Sequence, residues 1–209
     1  MGSAADFLPE RTTLGEMREA VQDCRGCDLY EEATQAVFGE GPERARIVMV
    51  GEQPGDKEDL AGRPFVGPAG GILDRAIEES GLIRDEVYVT NVVKHFKFVL
   101  RGKRRIHKKP GAEEIRACLP WLEAEVARVR PEILVLLGAT AAQAILGRSF
   151  RVTQRRGEFV DSPLAPLVTA TIHPSAILRT ETEEERQEAF DGFVRDLRGV
   201  ARALKARAG

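Results

Sequence analysis

Four short apolar runs constrain this chain more than any other feature. Residues 46–50 (RIVMV), 86–93 (EVYVTNVV), 132–138 (EILVLLG) and 165–172 (APLVTATI) are rich in aliphatic and β-branched side chains and have the length of strands, not of helices. Helix-like segments lie between them. Residues 68–80 read as a helix closed by Gly81. Residues 111–129 read as a second, with Glu113 and Glu114 in a first turn whose dipole favours acids. The small-residue stretch ATAAQAILG and the charged amphipathic residues 181–205 supply two more. Pro120 falls inside the second helix and is expected to kink or split it. Continuous apolar strands alternating with helices imply a sheet covered on both faces. The expected fold is α/β, a three-layer α/β/α sandwich with a central four-stranded parallel sheet, in one domain over residues 1–209.

In such folds ligands bind beyond the carboxyl ends of the strands. Here those ends are chemically rich. The first run leads into Gly51-Glu52-Gln53-Pro54-Gly55-Asp56, the second ends at Thr90-Asn91, and the fourth leads into His173-Pro174-Ser175. The Gly/Pro loop permits close backbone approach and offers N–H donors, but it is neither a dinucleotide GxGxxG nor a P-loop, which argues against a nucleotide cofactor. Glu52 is placed to stabilise a cation or take a proton, or is simply a solvated carboxylate. Phe65, in RPFVGP, is a candidate stacking platform for a flat ring, or a core residue. Asn91 offers one acceptor and two donors, suited to an amide edge, or caps a turn. His173 is a candidate donor, or a structural histidine.

Residues 94–109, KHFKFVLRGKRRIHKK, hold eight Lys or Arg, two His and no acid, and interrupt the α/β pattern as a basic insertion over 94–110. With a net charge of −2, nucleic-acid binding has to come from a local patch such as this one. The alternative is a solvated basic loop. The N-terminal residues lack an apolar signal segment and no run is long enough to span a membrane, so a cytoplasmic location is expected. Cys24, Cys27 and Cys118 are odd in number, which argues against a disulfide framework and leaves metal ligation or free thiols.

Four segments in order, GEQPGDKEDLAGRPFVGPAGGILDRAI, VYVTNVVK, RPEILVLLGATAAQAILG and HPSAILR, together with CRGC and Cys118, resemble the uracil-DNA glycosylase superfamily, in particular its iron–sulfur families four and five. The resemblance covers roughly residues 24–196. Two departures stand out. The family's GEAPG is GEQPG here, and its NVVKCRPP is NVVKHFKF, followed by a longer basic loop with KRRIH. Both look like UdgX, the branch that becomes covalently linked to uracil-containing DNA through the histidine of KRRIH, which corresponds to His107.

The resemblance implies a chemistry. Uracil is flipped out of the stack. Phe65 stacks on it, Asn91 bonds its O4/N3 edge and His173 donates to O2, with Gly51, Gln53 and Asp56 also at the substrate and main-chain N–H groups near Gln53 joining an oxyanion-type site. Glu52 stabilises the sugar cation and His107 captures C1′ in place of water. Lys94, Arg104, Arg105, Lys108, Lys109 and Ser175 contact the DNA backbone; Asp56 and Asp59 support the site without an assigned role. Cys24, Cys27, His95 and Cys118 hold a [4Fe–4S] cluster, His95 standing where the family has its third cysteine. Zinc in the same four ligands, or iron on the cysteines alone, are the alternatives. The expected partner is uracil-containing, single-stranded DNA, the expected state a monomer. An ordinary hydrolytic glycosylase, a non-catalytic uracil-DNA binder and a small-molecule α/β enzyme are the competing readings.

Overall fold

The computed structural model describes residues 2–207. In chain order its strands are β1 (Ile47–Gly51), β2 (Val87–Asn91), β3 (Phe98–Arg101), β4 (Arg104–His107), β5 (Ile133–Leu137), β6 (Phe159–Val160) and β7 (Leu167–Thr171). Its helices are α1 (Leu14–Ala20), α2 (Asp56–Ala61), α3 (Pro68–Ser80), α4 (Ala112–Val129), α5 (Ala139–Leu146), α6 (Val152–Arg155), α7 (Pro174–Ile177) and α8 (Glu183–Ala206), with four short 3-10 turns among the described residues. No helix among them is long and apolar enough to cross a membrane.

The main sheet runs β2-β1-β5-β7-β6. Its first four strands are parallel, as expected, and β6 adds an antiparallel edge opposite Val168 and Thr169 of β7. The sheet is therefore mixed and five-stranded. A two-residue strand next to Gly157 carries too little periodicity to be seen in sequence. Period-two alternation divides the strand side chains between two cores. Val48, Val50, Tyr88, Leu134 and Leu136 pack with α1, α4 and α5, whereas Ile47, Met49, Val87, Ile133 and Val135 pack with α3 and α8. Strands buried on both faces need apolar residues at successive positions, and this is why the sequence shows runs and not alternation.

Two expectations are made specific here. Helix α4 runs unbroken through Pro120. The bond that proline forfeits is the one to the carbonyl of Arg116, an exposed residue. The basic insertion is not an open loop either. β3 and β4 form an antiparallel hairpin with Phe98 opposite His107 and Leu100 opposite Arg105, turning at Gly102, whose φ of 61° suits a residue without Cβ.

A buried ionic network ties β2 to α4. Lys94 and Glu125 are both fully buried. The Lys94 ammonium donates to Thr90 Oγ1 at 2.7 Å, to the Asn91 carbonyl at 2.8 Å and to the Glu125 carboxylate. Glu125 also accepts from Gly39 N–H at 3.0 Å and Tyr88 O–H at 2.9 Å. Burial next to this carboxylate pushes the Tyr88 hydroxyl far above its ordinary pKa, so it stays a donor. Removing one partner strands the other charge in the core. Glu125→Ala is expected to lower unfolding free energy by about 3–5 kcal/mol in urea titration; a loss under about 1 kcal/mol would show the pair to be dispensable.

Candidate functional site

The carboxyl ends of β1, β2, β5 and β7 meet around one cleft of about 670 Å³, lined by Glu52, Phe65, Asn91, His107, Thr140 and His173 among others. Gly51 lies beneath it. A Cβ at that position would come within 2.3 Å of Asn91 Oδ1, 2.8 Å of Phe65 Cζ and 3.4 Å of His173 Nε2. Three side chains from three elements thus converge on a point that only glycine leaves open.

Phe65 holds its ring there through a costly backbone. Its φ is 55°, a left-handed value that a bulky residue seldom adopts. Two residues hold it so. Buried Glu58 accepts from Gly55 N–H at 3.1 Å and Gly67 N–H at 2.7 Å, stapling the GEQPG loop to the loop carrying Phe65. Gly70 lets the Phe65 carbonyl approach, since a Cβ would lie 1.6 Å from that oxygen. The Phe65 and His173 rings are 6.1 Å apart and tilted by 26°.

The protonation of His173 follows from its partners. Ser175 N–H donates to Nδ1 at 3.1 Å, and Ser175 Oγ lies 2.8 Å from the same nitrogen while accepting from Arg179 at 2.9 Å. Nδ1 is therefore the acceptor and the ring proton sits on Nε2, facing the cleft. Burial pushes the His173 pKa down to about 4. The ring is thus a neutral Nε2–H donor across the range where an ordinary histidine titrates.

Opposite stands a carboxylate. Glu52 Oε1 lies 3.3 Å from His107 Nε2, and the Thr140 hydroxyl donates to Oε2. Burial alone would raise the Glu52 pKa, but the hydrogen bonds from His107 and Thr140 outweigh it and the pKa is lowered. The cleft therefore carries a fixed negative charge beside a half-exposed imidazole on the hairpin.

Gln53 fixes that hairpin. Its Oε1 accepts from Lys97 N–H at 3.1 Å, and its Nε2 donates to the carbonyls of Lys97 and Lys108, both at 3.1 Å. The amide thus completes the pairing at the open end of the hairpin, one residue from His107. Arg105 clamps the other side, reaching Asp56 Oδ1 and Asp59 Oδ2 at 2.6 Å each. Its guanidinium also lies 5.5 Å from the Phe96 ring centre and 5.2 Å from that of Phe98.

Several of the expected site residues have partners of their own. Lys94 is buried and unavailable to DNA. Arg105 is held by two acids, and Asp56 faces the hairpin and not the cleft. Ser175 is engaged with His173 and Arg179. Each partner lies far off in sequence or depends on a turn geometry that spacing does not reveal. Arg104, Lys108 and Lys109 are exposed, as a backbone-contacting role requires. Sequence reasoning missed Glu58, Gly70 and Thr140. Thr140 had a signal, a hydroxyl just past the end of the third apolar run; the other two had none.

The three cysteines are buried and unpaired. Burial raises the pKa of Cys27 and pushes Cys118 up to about 12, with charge on the neighbouring cysteines adding to both shifts. Trp121 Nε1 and Lys94 N–H donate to the sulfurs of Cys24 and Cys118, both at 3.3 Å. His95 follows Lys94 directly; burial lowers its pKa to about 4, leaving a neutral imidazole. Mutually close buried thiols with N–H donors aimed at sulfur fit a cationic thiolate-bound centre. Among the described residues no three such side chains stand within reach of one ion.

Gln53→Ala is expected to speed amide exchange across residues 98–107 while leaving the main sheet protected, as read by hydrogen–deuterium exchange. Unchanged hairpin protection would show that the strands hold themselves.

The model for the uracil DNA glycosylase superfamily matches residues 38–198. A type-4 uracil-DNA glycosylase from Thermotoga maritima is 39% identical over 170 residues, covering 81% of this chain and 85% of the relative. A type-4 enzyme from Archaeoglobus fulgidus is 35% identical over 193 residues, covering 85% and 90%. A type-5 enzyme from Thermus thermophilus is 35% identical over 118 residues, covering 53% of each chain. With its four strand ends gathered around one cleft, the chain belongs to the uracil-DNA glycosylase superfamily.

Proposed function

We propose that this protein is a uracil-DNA glycosylase of the family-four type that excises uracil and then becomes bonded through His107 to C1′ of the sugar left behind. One observation carries the proposal: the imidazole of His107 stands 3.3 Å from the Glu52 carboxylate at the mouth of a cleft whose other walls include Phe65, Asn91 and His173.

Each part has a physical task. Uracil leaves the stack and enters the cleft, where Phe65 covers its face. Asn91 bonds its O4/N3 edge. As the C1′–N1 bond breaks, the electron pair leaves with the base and negative charge grows on O2, where neutral His173 donates from Nε2. The sugar becomes cationic beside the Glu52 carboxylate, whose lowered pKa keeps it ionised. A ring nitrogen of His107 donates its lone pair to C1′. The proton on the other nitrogen then leaves towards Glu52, and the neutral alkylated imidazole is a poor leaving group, so the reaction stops after one turnover. Exposed Arg104, Lys108 and Lys109 neutralise phosphates and carry no base specificity. The proposed partner is single-stranded uracil-containing DNA bound by a monomer.

Cys24, Cys27, Cys118 and His95 would hold a [4Fe–4S] cluster, whose contribution is to cross-link the N-terminal segment to the base of the hairpin. Zinc in the same four ligands is the alternative occupant.

A denaturing gel with labelled uracil-containing single-stranded DNA tests the proposal. The expected result is a heat-stable, slower band that is absent with thymine DNA, and a His107→Ser variant that releases uracil without the band. No slow band from the unaltered protein, with strand breakage after alkali, would make it an ordinary turnover enzyme.

A further inference from the structure

We infer that Lys94 is a positioning residue for uracil recognition: its ammonium fixes the main-chain carbonyl of Asn91 while its own N–H donates to Cys118 Sγ, joining the base-reading asparagine to the metal-binding helix. The inference rests on the reading of Asn91 as the residue that bonds uracil.

Asn91 is the last residue of β2, and the chain turns away immediately after it. Val92 N–H and Val93 N–H reach back to the carbonyls of Gly51 and Glu52, at 3.0 Å each. The Asn91 carbonyl points the other way, into the protein, where Lys94 Nζ meets it at 2.8 Å. An ammonium has three protons. Here one goes to Glu125, one to Thr90 and one to this carbonyl. The Asn91 peptide plane is thereby held from both sides, and its side chain is aimed at the open point above Gly51. Without the ammonium, a buried carbonyl loses its partner and the peptide is free to rotate. The main chain of Lys94 is also held, since its carbonyl accepts from Val37 N–H at 2.7 Å.

The test removes the ammonium without stranding a charge, as Lys94→Met with Glu125→Gln. The glutamine still accepts from Gly39 and Tyr88. Single-turnover uracil release is expected to fall about tenfold to a hundredfold, the scale of a misplaced contact group, and preference for uracil over thymine DNA to weaken. Iron content and visible absorption are expected to hold, because the contact to Cys118 is made by main chain. In an Asn91→Ala background the same pair should add little, since both act through one side chain. Release within about twofold of the unaltered protein, additive losses, or loss of iron together with release would each overturn the inference. Should the double variant fail to fold, Thr90→Val, which removes one ammonium partner and no charge, enters the same cycle under the same criteria. If Asn91→Ala itself leaves release unchanged, the reading of Asn91 falls and this inference with it. Loss with Asn91→Ala but none with the Lys94 pair overturns this inference alone.

Discussion

The parallel pairing of β1 with β2 does not stop at the end of the strands, and the site depends on that. Gly51 is in register with Asn91, and the two main-chain bonds beyond it bring the residue after each strand alongside its neighbour. Glu52 therefore leaves the sheet one residue beyond the position opposite Asn91, although the two are 39 residues apart in sequence. Adding β5 and β7 in the same direction brings Thr140 and His173 to the same edge. A one-residue slip of β1 would send Glu52 to the opposite face, and the buried valines and isoleucines on both faces oppose such a slip.

On this rigid edge sits a less conventional part. The hairpin presents His107 over Glu52, and three kinds of interaction hold it: the Gln53 amide at its open end, the Arg105 bonds to Asp56 and Asp59, and the Lys97 ammonium 2.7 Å from Glu114. All are polar contacts, and they range from the part-exposed Arg105–Asp56 pair to the Arg105 bond to fully buried Asp59. The cleft and its rim thus differ in kind. Strand ends and close packing fix Phe65, Asn91 and His173, while side-chain hydrogen bonds and ion pairs fix the hairpin that carries His107.

Much of this was legible in the sequence. Apolar runs marked the four parallel strands, though not their order, because strands buried on both faces leave no room for polar alternation. Glu52, Asn91 and His173 could be assigned to one edge because a strand's carboxyl end is local information. Lys94 and Arg105 could not be read, since a basic residue looks the same in sequence whether it faces phosphate or a buried carboxylate. Their partners, Glu125, Asp56 and Asp59, lie 31 to 49 residues away. Nor could the sequence decide between a kink and a split at Pro120, and the helix is not split there. Glu58 and Gly70, which hold the unusual backbone of Phe65, become visible only once the loop is seen.

The central claim is that the hairpin histidine, and no other group, receives the sugar. Peptide mass spectrometry after nuclease and protease digestion of protein incubated with uracil-containing single-stranded DNA tests it directly. The account predicts a deoxyribose-derived mass on the peptide that contains His107, with fragment ions placing it on that imidazole. An adduct on His95, His173 or a lysine, or a complex whose peptides all keep their unmodified masses, would contradict it.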